Sequence, residues 1–449
     1  MRLWLRNPLA ILAENAQGGI VVEGSRIVEC LPTGASPETA IDDVFDASAH
    51  VILPGLINTH HHFYQTLTRA LPVALGKPLF PWLEGLYPVW AGLDEEMLAL
   101  ATRLALAELL LSGCTTAVDH HYVFPAGLEQ GIDIQFAVAE EMGLRVVLTR
   151  GSMSLGEDQG GLPPRSLVQA EAAILEDSER LIGRYHQPGP DAMRQLALAP
   201  CSPFSVSSDL MRETARLARR LNVRLHTHLG ETEDENRFCQ EFYGCRPLDY
   251  LESAEWLGAD VWLAHGIHFS TDEILRLGRS GVGISHCPGS NMLLASGICR
   301  VGELEAAGSP VGLAVDGSAS NDASNLIQEV RQAFLLQRLA QGAEAVGHLD
   351  ALRWASTGSA ACLGRPDLGH IAPGQQADLA LFRLDELRFS GAGDPLAALV
   401  LCAAHQADQV MVAGRWLVRD GSIPGLDLDQ LRAHHQAAAR RLWARAGLT

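Results

Sequence analysis

Lysine is almost missing from this chain. Of its 34 basic residues only Lys77 is a lysine, and the rest are arginine. Basic charge is also in the minority, with 53 acidic residues and a formal net charge of -19. A chain so acidic repels phosphate backbones and anionic lipid, which argues against nucleic-acid and membrane-surface partners. The nine cysteines include no CxxC pair. An odd, scattered set in a chain this long fits reduced thiols, and a cytoplasmic location is expected. Long apolar runs are missing as well. The most apolar stretch, residues 98–118, is broken by Arg103, Glu108 and Gly113 and reads as a buried helix entering a strand. Near the N-terminus, Arg2 and Arg6 precede an apolar run of residues 8–13 only, too short for a secretory leader.

What is present is core-forming material. The chain has 449 residues, 47% of them hydrophobic and 19% charged, which excludes a disordered chain. Residues 1–54 read as short strands with glycine turns, such as Gly18 to Gly24 and Val51 to Leu53 before Pro54-Gly55. Residues 368–425 have the same texture, so the two ends are expected to form one composite β-sandwich domain.

The middle, residues 55–367, alternates differently. Eight short apolar runs recur, from Leu56-Ile57-Asn58-Thr59 to Val311-Gly312-Leu313-Ala314-Val315, separated by amphipathic segments such as Ser208 to Leu221 and Thr271 to Gly278. Eight strand–helix units over about 310 residues predict a (β/α)8 barrel. Residues 426–449 are expected to hold a terminal helix.

A parallel barrel does its chemistry at the C-terminal strand ends. The first run ends in His60-His61-His62, the fifth in His226-Thr227-His228-Leu229-Gly230-Glu231, the sixth in His265, the seventh in His286 and the eighth in Asp316. Strand side chains alternate faces, so His60 and His62 share one face and His61 takes the other. Histidines with one carboxylate at a single rim are the ligand set of a catalytic divalent metal. His226 shares the face of His228 one layer deeper, where packing and hydrogen bonding are expected. Of His120 and His121, ending the second run, one must point inward. His268 and His286 are candidates for the rim. Cys201 reads as a small buried thiol rather than a ligand. The HxE and PCxxC pattern of another class of zinc enzyme is absent.

The motifs Pro54-Gly55-Leu56-Ile57-Asn58-Thr59-His60-His61-His62, His228-Leu229-Gly230-Glu231, His265 and Asp316-Gly317-Ser318-Ala319-Ser320-Asn321 resemble the amidohydrolase superfamily. Within it they are similar to the mononuclear-metal aminohydrolases. The resemblance spans almost the whole chain. It implies His60, His62, His228 and Asp316 as ligands of one divalent metal, zinc by default with iron or manganese as alternatives. It implies Glu231 as proton shuttle, His265 as the group orienting the attacking hydroxide, and Asp316 as a proton acceptor on the way to the departing amine. Binuclear relatives bridge two metals with a carboxylated lysine of the fourth strand. Lys77 lies between strands one and two, so that bridge is impossible here.

Three features bear on substrate. Gln65 closely follows the metal strand, and an amide suits a heterocycle edge. Arg150 ends the third run, and its fork suits a ring oxygen or an acidic ring nitrogen. Trp82 could stack on a flat ring, though core packing is the stronger expectation. The segments His60 to Ala70, Thr149 to Ser154 and Gly160 to Pro164 resemble the 8-oxoguanine deaminase subgroup, whose neighbours are isoxanthopterin deaminases and hydroxyatrazine hydrolases. That resemblance implies deamination of 8-oxoguanine to urate by metal-hydroxide attack on the amine-bearing carbon. Isoxanthopterin, guanine or a hydroxytriazine are the alternative substrates, and a non-catalytic ligand-binding relative is a distant one. The resemblance also implies a small-molecule heterocycle as partner and a homo-oligomer.

Overall fold

The computed structural model describes residues 1–448. Eight parallel strands pair in sequence order: Leu56–Asn58, Cys114–His121, Arg145–Ser152, Arg194–Pro200, Arg224–Leu229, Val261–His265, Gly283–His286 and Val311–Leu313. Helices lie between them, as the (β/α)8 reading expected. The helix Ser208–Arg220 starts where the Ser207 side chain accepts from the Leu210 N–H, and it ends on Arg219 and Arg220, cations suited to a helix C-terminus. Thr271–Ser280 begins with a capping box between Ser270 and Glu273.

The first and last strands are shorter than their apolar runs suggest. The eighth stops at Leu313 rather than Val315, because the chain then changes hydrogen-bond partner. Thr59 N–H donates to Leu313 O at 3.1 Å, and Asp316 N–H to His60 O at 3.2 Å. Val315 N–H donates to Asn58 Oδ1 at 2.9 Å. These bonds draw the first and eighth strand ends together.

Below the rim the barrel is packed. Ile57, Val118, Val147, Ala197 and Trp262 share an apolar cluster with Ala360, Cys362, Leu363 and Leu368, which plug it from beneath. On the second and third strands, Val118 and Val147 fix the facing of the residues that follow by alternation.

Two small sheets adjoin the barrel. One orders Arg26–Leu31, Gly19–Glu23, Arg2–Arg6 and Asp43–Asp46. The other joins both ends of the chain, with Leu379–Arg383 antiparallel to His50–Pro54. They share a core that includes Leu5, Ile20, Ile52, Leu379 and Met411. A terminal helix, Leu428–Arg445, packs on Glu95–Leu111. Among the described residues no helix is long and apolar enough to cross a membrane.

Candidate active site

The barrel rim gathers six buried polar side chains. His60 and His62 follow the first strand, His228 ends on the fifth with Glu231 just beyond, His265 closes the sixth, and Asp316 follows the eighth. His265 and Asp316 have φ values of 73° and 64°. A left-handed backbone is costly for residues other than glycine and concentrates at functional sites. In both places it lets the chain leave its strand while the side chain stays in the barrel mouth.

Hydrogen bonds fix how each imidazole presents itself. His62 Nδ1 donates to His120 O at 2.7 Å, and His228 Nδ1 donates to Cys201 O at 2.7 Å. A neutral ring with its proton on Nδ1 has only a lone pair on Nε2. Yet the two Nε2 atoms face each other at 3.2 Å. Asp316 Oδ1 lies 3.3 Å from His60 Nε2 and 3.4 Å from His62 Nε2. His60 Nε2 has no hydrogen-bond partner although it is buried. Electron pairs converging without a proton between them require a cation, so these residues fit a divalent metal. Three imidazoles and one carboxylate are a donor set suited to zinc. The donor atoms of His60, His62, His120 and His228 cluster tightly, as do those of His60, His265 and Asp316.

Beside this group, His265 Nε2 lies 3.5 Å from Glu231 Oε2 and 3.9 Å from Asp316 Oδ2. Its Nδ1 donates to Asn291 Oδ1 at 3.0 Å. Burial pushes Glu231 up to about 7, with Asp316 adding to the rise and His265 opposing it. Burial would lower the His265 imidazole, but Glu231 and Asp316 outweigh it and raise it. Burial would also raise Asp316; the adjacent histidines instead hold it well below the usual carboxylate range. A proton donor–acceptor pair thus stands next to a metal-binding group.

The chain from 51 to 417 matches the amidohydrolase family. It belongs to that family. Over 446 residues this amidohydrolase is 64% identical to an 8-oxoguanine deaminase from Pseudomonas aeruginosa, covering 99% of each chain. It is 38% identical to an isoxanthopterin deaminase from an unknown prokaryotic organism, covering 89% of this chain and 87% of that one. Its fold matches the crystal structure of an atrazine chlorohydrolase from Arthrobacter aurescens TC1 complexed with zinc. That match has a TM-score of 0.92 at 32% identity and covers 97% of this chain and 100% of the other.

Of the two substrate-binding candidates, the amidohydrolase brings one to the cleft. Gln65 lies on the short turn Phe63–Thr68 and lines it. Gln65 Oε1 accepts from Ala319 N–H at 3.3 Å, which leaves the amide nitrogen as its donor end. Arg150 is turned away, correcting the expectation. Val147 faces the barrel interior, so alternation sends Arg150 outward to the helix Glu171–Tyr185. There its Nε donates to Asp177 Oδ2 at 2.6 Å and its Nη2 to Gln169 Oε1 at 3.0 Å, and its guanidinium stacks on Phe124 at 4.0 Å.

Other expectations divide in the same way. His120 is the inward one of its pair, stacked on His228 at 4.7 Å, while His121 packs outside on Phe124. His61 is buried and accepts from His62 N–H at 2.7 Å. His268 is held by Ser296 O and Glu233, and His286 by Gln337; neither lines the cleft. Trp82 both packs in the core and lines the cleft. Cys201 lines it too, and its carbonyl rather than its thiol holds His228. The sequence reading missed Tyr87, which reaches the cleft from the helix Leu79–Trp90 with its hydroxyl buried and unpaired. It stands far from any strand end, where no positional signal marks it. Asn291 was also missed, although it follows the seventh strand by only five residues.

Proposed function

We propose that this amidohydrolase hydrolyses the exocyclic amine of 8-oxoguanine, giving urate and ammonia, with one zinc ion held by His60, His62, His228 and Asp316. The observation that carries the chemistry is the Glu231–His265–Asp316 cluster, with its 3.5 and 3.9 Å separations, beside converging imidazole lone pairs. The whole-length likeness to the 8-oxoguanine deaminase supports the substrate.

A divalent ion bound there supplies a water acidified toward neutral pH and a charge to stabilise the developing oxyanion. Glu231 takes up a proton on Oε2 and returns it to a ring nitrogen of the substrate, a task suited to a carboxyl held near 7. His265 Nε2, steadied through Nδ1 by Asn291, orients the attacking oxygen. Asp316 divides its work between its two oxygens. Oδ1 faces His60 and His62, while Oδ2 faces His265 and lies 3.4 Å from Ser320 Oγ. Oδ2 is placed to receive the proton that leaves with the amine.

Gln65 donates to an acceptor on the ring edge. Leu79, Trp82, Leu83 and Phe204 enclose the ring and limit access of bulk water. No arginine or lysine is among the residues that line the cleft, so no guanidinium or ammonium group holds the ring.

Ammonia release from the zinc-loaded protein, measured with 8-oxoguanine, guanine, isoxanthopterin, cytosine and hydroxyatrazine, tests this reading. A kcat/KM for 8-oxoguanine at least tenfold above the others supports it. Preference for another member of the panel moves the substrate and leaves the chemistry. No turnover of any of them by metal-loaded protein overturns both.

A further inference from the structure

His60 differs from the other two histidines of the metal group in what holds it. His62 and His228 each give their Nδ1 proton to a backbone carbonyl. A carbonyl can only accept, so their Nε2 lone pairs are assured. His60 Nδ1 instead faces another imidazole, His226 Nε2, at 2.7 Å. Between two imidazoles either ring can donate. If His226 donated, His60 would carry its proton on Nε2 and could not bind a metal.

The choice is made one bond further on. His226 Nδ1 faces Trp262 O at 2.9 Å. That carbonyl has no proton, so His226 Nδ1 is the donor there. The neutral ring then has a lone pair on Nε2 and accepts from His60 Nδ1, and His60 Nε2 is left free toward Asp316 and His62. His226 is held rigidly enough to impose this direction. It is fully buried, and its ring stacks on that of Trp262 at 4.4 Å with an interplanar angle of 18°. His226 and Trp262 are paired in register on adjacent strands. The Trp262 indole N–H donates to Thr59 O at 3.1 Å, next to His60 itself. The circuit from Thr59 through Trp262 and His226 to His60 is therefore closed.

We infer that His226 is the positioning residue that sets the tautomer of His60, through a relay ending on the Trp262 carbonyl, and thereby sets the affinity of the metal group. The inference rests on the reading of His60 as a ligand. Outer partners of metal-binding histidines govern ligand orientation and basicity, and losing one typically costs 10–100-fold in affinity.

The test is zinc affinity of the full-length, metal-stripped chain, measured by competition with a chromogenic chelator. His226→Leu removes the acceptor and keeps an apolar filling. His226→Gln places an amide oxygen near the lost Nε2 and can again accept from His60 Nδ1. The expected result is zinc binding about 10–100-fold weaker in His226→Leu, with most of the loss recovered in His226→Gln. Unchanged affinity in a folded His226→Leu chain overturns the inference. Equal weakening in both folded variants also overturns it, since packing and not the acceptor would then be at work. Should His226→Leu fail to fold, His226→Gln alone decides: affinity within about tenfold of wild type is expected, and a larger loss refutes the relay. A wild-type chain that binds no stoichiometric zinc would instead remove the ligand set of the proposed function, a failure distinct from the others.

Discussion

The Asp316 N–H donates to the His60 carbonyl at 3.2 Å, while Asp316 Oδ1 lies 3.3 Å from His60 Nε2. The first and last donors of the metal group are thus tied both by backbone and by side chain, at the place where the first and eighth strands meet. The contacts that join the first and eighth strands therefore also hold two members of the proposed metal group together.

Removing the metal should therefore loosen this seam. Without a cation, the lone pairs of His62 and His228 oppose each other at 3.2 Å. Chelation is expected to lower the melting temperature and to speed amide exchange at Thr59 and Asp316. Zinc at a thousandfold excess over its Kd should restore about 4 kcal/mol. Calorimetry and hydrogen exchange, each with and without chelator, measure the two effects. An unchanged melting temperature in a chain shown to lose metal would refute the coupling.

Glu231→Gln should keep fold and metal and lose turnover by about 10² to 10⁴-fold in kcat, the usual size of a general acid–base contribution. Metal content and kcat measured on the same preparation check this. Near-normal kcat would take Glu231 out of the proton-transfer role.

Gly317→Ala separates recognition from chemistry. A Cβ at Gly317 would stand 2.0 Å from Gln65 Oε1. Gln65 must then move and its hydrogen bond to the ring is lost. The expected outcome is a KM about tenfold higher, the worth of roughly one hydrogen bond, with the melting temperature close to wild type. Steady-state kinetics with the preferred substrate give the answer, and an unchanged KM would mean that Gln65 does not hold the ring.

Arg150→Ala should damage the fold rather than recognition. It removes the partner of Gln169 and one of the two arginines on Asp177, which Arg180 still holds at 2.7 Å. Breaking a buried pair from one side costs about 3–5 kcal/mol, and less here because Asp177 is partly exposed and keeps Arg180. A lower denaturation midpoint with KM unchanged for every active substrate is expected. A KM rise confined to oxidised purines would return Arg150 to the cleft.

Glu235 links stability to pH. Burial pushes its carboxyl up to about 8; the Gly230 N–H, donated to Oε1 at 2.7 Å, opposes this and the neighbouring Glu231 adds to it. Its folded value lies above the unfolded value of about 4.3. The folded state therefore holds the proton more tightly. Stability from this group is fully present below about 4.3 and is lost as pH rises through about 8. Glu235→Gln keeps an acceptor for Gly230 and cannot ionise. Its melting temperature should fall less than wild type between pH 5.5 and 8.5, by a few degrees in order of magnitude. Parallel pH curves for the two chains would refute the assignment.

The sequence alone determined the parts that follow from a two-residue period and from position at strand ends. His226 and His228 face inward together because side chains on a strand alternate, and one of His120 and His121 had to join them for the same reason. The lone lysine, Lys77, settled the absence of a lysine bridge by count. The barrel was legible in the spacing of eight apolar runs, and the proposed ligand set came from its likeness to a known family. The tertiary structure decided what depends on contacts between distant segments. Arg150 read as a strand-end cation, yet which face it takes depends on where Val147 lies, and Asp177 waits on the helix behind it. Tyr87 arrives from a helix whose approach to the rim no local pattern encodes. The direction of the proton on His60 depends on a carbonyl two residues removed in a chain of contacts, Trp262 O, and only the fold brings it there. Alternation is a property of the local backbone. The partner that a side chain finds is a property of packing.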